Sequence, residues 1–371
     1  MIGRTIGPAL LAVGDGTAHQ GCIRIEGERI VALEDGPQHL DYELPFGSTV
    51  TPGLIDLHVN GVADQSFAIA PAEAVKAVSR VGPKYGVTAF LPSLITGAWE
   101  HMLAAAIELY KCMSWPTTGA RSLGVHFEGP FLNIEYARSH PKEFIVSPTP
   151  ALIEGLLAAW STGVCRVTMA PELDDAPRAA AELRRRGVVL AAGHTSGSYA
   201  AGEDAIARGY YILTHAFNAM PPLHHRSSSI ALAYLLDPAA FCEAIADGIH
   251  VSFEMLALLF RLKGVNLVLT TDAMPLVDGR VEQGGVVRDR AGTIVGSVLT
   301  LDAAVRNLME ATGIMLAEAV VCATWAPARA IGLDAEMGML REGLRADFAV
   351  WDRRNQISHT FVGGQLVYKN D

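Results

Sequence analysis

The stretch VTPGLIDLHVNG, residues 50–61, is mostly apolar from Val50 to Leu57 and then delivers His58, Asn60 and Gly61 within four positions. A short apolar run of this kind reads as a strand buried on both faces, as in parallel sheets whose two sides are covered. A strand that serves only a core has no use for an imidazole at its end. The run therefore marks both a structural element and a place where chemistry begins.

Seven further runs follow the same plan: GVTAFLPSLIT (86–96), LGVHFEGP (123–130), VCRVTMAPE (164–172), VVLAAGHTS (188–196), YYILTHAFNAM (210–220), FCEAIADGIHV (241–251) and LVLTTDAM (267–274). Between most of them lies a helix candidate, such as 71–86, 182–187 or 252–264. Eight strand–helix units predict an α/β fold, a (β/α)8 TIM-type barrel. The chain ends differ from this middle. CIRIEGERIVAL (22–33), ADFAVWD (346–352) and ISHTFVGGQLVY (357–368) alternate or turn like hairpins. They predict a small β-sandwich domain built from both ends, residues 1–50 and 336–371, around a barrel over 51–335.

Composition narrows the function. Half of the 371 residues are hydrophobic, 18% are charged and the formal net charge is −10, which argues against nucleic acid as a partner. Five scattered cysteines without a CxxC pair suit a reducing compartment and offer no thiolate metal site. The N-terminal MIGRTIGPALLAVGDG has no cleavage pattern, and no run approaches the ~18 apolar residues of a membrane span. The expectation is a cytoplasmic protein with no membrane partner.

Polar residues cluster at the C-terminal ends of the runs: His58, Glu128, Glu172, His194, His215, Asp247 with His250, and Asp272. In such barrels the loops of all units converge at that rim. A strand that merely had to end in something polar would use Ser, Asn, Gly or Lys as readily. Glu128, His194, His215 and Asp272 together fit a catalytic metal centre, in which three ligands leave a position open and a free carboxylate moves a proton. Singly, each is better read as a hydrogen-bonded or capping residue; on four strands of one barrel the metal reading prevails. His126 shares the parity of Glu128 and reads as packing behind it, and His224 and His225 sit in a polar loop within reach of a ligand. No GxSxG, GxGxxG, GK[ST] or HExxH motif is present.

PGLIDLHVNG, LGVHFEGPFLN, VTMAPE, AAGHTSGSY, LTHAFNAMPPLHHR, IADGIHV, LTTDAM, LTLDAAVRNLME and ATWAPARAIGL, in this order, resemble the N-acetylglucosamine-6-phosphate deacetylases of the amidohydrolase superfamily. The resemblance spans nearly the whole chain, and HFEGPFLN and THAFNAMP carry most of it. It implies that Glu128, His194 and His215 hold one divalent metal per chain, zinc by preference, and that Asp272 is the general base. It implies that His140 lies near the scissile carbonyl, that Asn218, Ala219 and His250 meet the sugar phosphate, and that Arg226 binds phosphate, supplied across a homodimer interface. Two departures touch the substrate pocket. Ser227-Ser228-Ser229 stand where the family commonly has Glu-Pro-Gly, and Ser139-His140-Pro141 lacks the asparagine that often follows the histidine.

Many amidohydrolases end the first strand with two histidines, one residue apart, that hold a second metal with the strand-eight aspartate. Here the pair is His58 and Asn60, and a neutral amide is a poor zinc ligand. The expectation is one metal, with His58 left beside Asp272 or at a weak second position. The reading is therefore hydrolysis of N-acetylglucosamine 6-phosphate to glucosamine 6-phosphate and acetate, in amino-sugar catabolism. Two readings compete: an amidohydrolase of a related N-acetyl amino sugar or N-acyl amino acid, and a non-catalytic sugar-phosphate sensor. Asp272 opposes the sensor, since binding alone needs no general base.

Overall fold

A computed structural model of the chain describes residues 3–36, 39–115 and 118–370. Each apolar run contains a strand: β1 (Leu54–Val59), β2 (Val87–Ile95), β3 (Gly124–Glu128), β4 (Val164–Met169), β5 (Val189–Ala192), β6 (Tyr210–Leu213), β7 (Phe241–Ile245) and β8 (Leu267–Thr270). All consecutive pairs from β1 to β8 are parallel. One helix follows each strand: α1 (Pro71–Val81), α2 (Trp99–Cys112), α3 (Pro150–Ala159), α4 (Ala176–Arg185), α5 (Tyr199–Ala207), α6 (Ile230–Leu236), α7 (Phe253–Lys263) and α8 (Leu301–Thr312).

The helices follow from local sequence. In α4 the buried residues Ala176, Ala179, Ala180 and Leu183 recur at helical spacing, while Arg184 and Arg185 lie in the last turn. In α7 the Ser252 hydroxyl accepts from the Met255 N–H at the start, and Gly264 at φ 50° ends the helix. The expected helix over 71–86 stops earlier, at Val81. Pro83 lies in the 3-10 turn Gly82–Tyr85 that replaces its last part, and Gly86 at φ 75° leads into β2.

β8 and β1 close the barrel without a regular ladder. A single parallel bridge joins Val59 to Ala273, flanked by Asn60 N–H to Ala273 O at 2.8 Å and Asp272 N–H to His58 O at 2.9 Å. Asp56 fastens the rest of the seam. Its Oδ1 accepts from Thr270 Oγ1 at 3.0 Å and its Oδ2 from Thr271 Oγ1 at 2.6 Å, and Oδ1 also takes the His58 and Thr271 N–H groups at 3.2 and 3.3 Å. Both rim residues, His58 and Asp272, are placed by this one side chain.

The barrel interior below the rim is polar, unlike the Val, Ile and Leu layers usual in this fold. Arg166 and Glu243 are fully buried and paired, with Arg166 Nη2 donating to Glu243 Oε2 at 2.7 Å and to Thr214 Oγ1 at 2.9 Å. His126 lies between Ser93 Oγ and Thr168 Oγ1, 2.8 Å from each. This matches its reading as a packing residue behind Glu128.

The chain ends share one sheet. The strand Thr49–Pro52 runs between Arg4–Ala12 and Phe348–Trp351, so the N- and C-terminal segments meet immediately before β1. Ile6, Leu11, Ile23, Val50, Phe348, Val350 and Phe361 form its core. A three-stranded antiparallel sheet not expected from the sequence, Val281–Gln283, Val286–Arg288 and Ile294–Ser297, is inserted between β8 and α8. Among the described residues no single helix is long and apolar enough to cross a membrane.

Removing Asp56 leaves the buried N–H groups of His58 and Thr271 without this acceptor, each costing about 1–3 kcal/mol. Asp56→Ala should therefore lose at least about 2 kcal/mol of stability in chemical denaturation. A loss within a few tenths of a kcal/mol of zero would mean that the seam is held elsewhere.

Candidate metal centre and active-site cavity

Glu128, the last residue of β3, is buried and its two carboxylate oxygens face different neighbours. Oε1 lies 3.2 Å from His194 Nε2 and 3.0 Å from His215 Nε2, and the two imidazole nitrogens are 3.1 Å apart. Oε2 lies 3.2 Å from His58 Nε2 and 3.8 Å from His140 Nε2. Glu128, His194 and His215 present one ligand atom each, all within 4.8 Å of one another.

These residues fit a metal. His194 Nδ1 lies 2.9 Å from Tyr136 O, an acceptor only, so Nδ1 carries the proton and Nε2 turns a lone pair inward. The inward lone pair of His194 and the Glu128 carboxylate, 3.2 Å apart, repel unless a cation or a proton lies between them. Donors around a tetrahedral zinc with bonds of ~2.0–2.1 Å are roughly 3.3 Å apart, close to the separations here.

Strained backbone presents the site residues. His194, His215 and Asp272 have φ of 48°, 31° and 46°, and Phe217 and Ala219 follow at 76° and 53°. Residues other than glycine seldom adopt this region, and such strain gathers at functional sites. Glu172 contributes to holding it. Glu172 accepts from the Ser196 N–H at 2.7 Å and from Asn133 Nδ2 at 2.9 Å, while Asn133 N–H donates to His194 O at 2.9 Å. Glu172 thus braces the His194 loop and is not among the residues of the metal cluster.

Asp272 lies beside the cluster. Its Oδ1 accepts from Asn60 Nδ2 at 2.7 Å and is 3.4 Å from His58 Nε2. Burial pushes the Asp272 carboxyl above its ordinary pKa, and the neighbouring His58 charge only partly opposes this. Burial also resists charging His58, but the Glu128 and Asp272 carboxylates outweigh it and hold its pKa up at about 9. His140 is the opposite case: burial, with His194 beside it, pushes it down to about 3. Its Nδ1 accepts from the Thr96 N–H at 3.3 Å and lies 2.8 Å from Thr96 Oγ1, so the neutral ring carries its proton on Nε2, toward Glu128.

A cavity of about 380 Å³ opens over these groups. It brings together most of the residues singled out from the sequence. Glu128, His140, His194, His215, Asn218, Ala219, His250 and Asp272 line it, together with Arg138. His58 is fully buried behind Glu128. Arg226, His224 and His225 are exposed on the loop after β6 and are not among the lining residues. Thr293 to Gly296, from the inserted three-stranded sheet, complete the wall. Sequence reasoning missed Thr96, Arg138, Tyr136 and Asp56. Only Asp56, two residues before His58 and so of the same strand parity, carried a usable signal.

A barrel whose C-terminal mouth gathers a cation-binding triad and a separate buried carboxylate belongs to the class of metal-dependent hydrolases. The chain is a member of the amidohydrolase family, whose model matches residues 49–367. It is similar to the N-acetylglucosamine-6-phosphate deacetylase of Homo sapiens, 34% identical over 88% of this chain and 85% of that one. It is also similar to the N-acetylgalactosamine-6-phosphate deacetylase of Escherichia coli O157:H7, 32% identical over 93% of this chain and 94% of that one. Among solved structures, an Asp-to-Ala mutant of N-acetyl-D-glucosamine-6-phosphate deacetylase from Mycobacterium smegmatis, in complex with N-acetyl-D-glucosamine-6-phosphate, superposes with a TM-score of 0.92 at 30% identity, covering 100% of both chains.

His250 yields a direct test of the electrostatics. Its Nδ1 lies 2.6 Å from Asp247 Oδ2; burial resists the imidazolium, but the hydrogen bond and charge of Asp247 raise its pKa above the ordinary value. A raised pKa stabilises the fold below the ordinary histidine range, and that contribution is lost as pH rises through the raised value. Asp247→Asn should bring the His250 titration, followed by NMR, down to or below the ordinary value. An unmoved titration would assign the shift to Asp272 instead.

Proposed function

We propose that the chain hydrolyses the acetamide of N-acetylglucosamine 6-phosphate, giving glucosamine 6-phosphate and acetate. The observation that carries this reading is Asp272, a buried carboxylate with raised proton affinity beside the Glu128–His194–His215 donors rather than among them. Glu128, His194 and His215 would hold one divalent ion, and zinc matches one carboxylate with two imidazoles. When bound, such an ion polarises a carbonyl and acidifies water.

The remaining roles fall to the chain's own side chains. Asp272 takes the proton from the attacking water and returns it to the departing amine, a task suited to a carboxyl with a raised pKa. His140, neutral and protonated on Nε2, donates to the carbonyl oxygen as negative charge grows there. His250, Asn218 and Ala219, which also line the cavity, would bind the sugar phosphate. Arg226 is exposed and does not line its own cavity; it would serve that of a second copy, making the working unit a homodimer. The five buried, unpaired cysteines support a reducing, cytoplasmic setting.

Acetate release from a panel tests the reading: N-acetylglucosamine 6-phosphate, its galacto epimer, unphosphorylated N-acetylglucosamine and an N-acyl amino acid. The relative acting on the galacto epimer makes that sugar the second reading, with the chemistry unchanged. Release from no sugar phosphate would reject the proposal. Asp272→Asn should lose about 10²–10⁴-fold in turnover with metal content unchanged, and retention of more than about a tenth of the activity would remove Asp272 from this role.

Metal stoichiometry is a separate test. We expect one equivalent per chain after exhaustive dialysis, because the Asn60 amide donates to Asp272 and offers no imidazole for a second ion. Two equivalents in the wild type would sink the single-metal reading. Asn60→His should take up more than one.

A further inference from the structure

We infer that Arg138 binds the phosphate of the substrate from within the same chain and sets the preference for the phosphorylated sugar, an inference that rests on the function proposed above. A dianionic phosphate in a partly dry cavity needs a cationic or N–H partner. Arg226 is exposed and does not line its own cavity. Among the described residues, Arg138 is the single arginine or lysine that does.

Its backbone makes the case stronger. Arg138 has φ 53°, where glycine fits freely and a side chain is strained. The side chain is exposed, so packing does not account for an arginine at a position that favours glycine. No hydrogen bond or ion pair engages its guanidinium among the described residues. Strain retained without a structural return points to a use for the side chain.

The segment is also held at both ends by the site itself. Tyr136, two residues before, offers its carbonyl to His194 Nδ1 at 2.9 Å. His140, two residues after, is tied to Thr96 Oγ1 at 2.8 Å. Between these anchors the Arg138 backbone has little freedom, and the residue lines the cavity from a fixed base.

The test uses metal-loaded Arg138→Ala, Arg138→Lys and Arg138→Gly enzymes. Steady-state kinetics on phosphorylated and unphosphorylated N-acetylglucosamine are combined with calorimetric titration of inorganic phosphate. A charge-assisted contact corresponds to about a 10- to 150-fold effect. Arg138→Ala should raise KM for the sugar phosphate and Kd for phosphate within that range, leaving kcat and the unphosphorylated sugar nearly unchanged. Arg138→Lys should recover part of the loss. Arg138→Gly should match alanine in affinity yet melt at a higher temperature, because glycine releases the strain. An equal loss on both sugars, or unchanged phosphate binding in Arg138→Ala, would overturn the assignment. A wild-type enzyme that releases no acetate from any sugar phosphate would reject the proposed function instead, and the phosphate titration alone would then decide Arg138.

Discussion

A buried carboxylate surrounded by imidazoles is the constraint to which the rest of the barrel answers. Glu128 is 3% exposed, and a charge so placed is costly unless it is paired. Burial alone would favour its neutral form, yet the His58 charge opposes this and its pKa is held well below the ordinary carboxylate range. Its partners come from β1, from the loops after β3 and β5, and from the turn after β6. Four parts of the chain therefore meet at one residue, and each must be fixed by something other than the contact itself.

Backbone hydrogen bonds supply much of that fixing. Each residue held in the left-handed region costs about 1–3 kcal/mol, so His194, His215 and Asp272 together are a considerable load on a marginally stable fold. The His194 carbonyl is taken by Asn133, the N–H of Ala216 reaches Glu243 O, and Asp272 bonds the His58 carbonyl through its N–H and Ser297 through its own carbonyl. The polar interior continues this support. Arg166, paired with Glu243, also donates to Leu57 O at 3.3 Å, next to His58, while the His126 ring packs edge-on against His58 with centroids 4.7 Å apart. An aliphatic layer would pack as well but would give these carbonyls and imidazoles no partner.

The fold was legible because strands buried on both faces leave an unbroken apolar signature, and eight such runs with helices between them admit few arrangements. Glu128, His194, His215 and Asp272 were legible for a related reason: a charged or imidazole side chain ending an apolar run has no packing purpose. The same rule misled at Glu172, which ends a run but turns sideways to brace Asn133 and Ser196. Partners far apart in sequence left no trace. Nothing in IDLHVN indicates that Asp56 will close a seam with Thr270 and Thr271, more than two hundred residues away. The sheet over Val281–Ser297 was missed because its strands are three to four residues long, too short for alternation to stand out. Arg226 illustrates a further limit. A motif supplies the residue, but whether it lines the cavity of its own chain depends on a loop path that sequence does not encode locally.

The pairing of His58 with Asn60 is where geometry bears most directly on chemistry. Asp272 and Glu128 are both acidic, and they approach the same imidazole, 3.4 and 3.2 Å from His58 Nε2. Two carboxylates this close to one point repel unless positive charge lies between them. A protonated His58 supplies that charge, and the Asn60 amide adds an N–H on the Asp272 side. The His58 ring thus occupies the space between the two carboxylates, with the Asn60 amide on the Asp272 side. The N–H donated by Asn60 also keeps Asp272 Oδ1 engaged, leaving the other oxygen of that carboxylate as the one free to accept a proton from water.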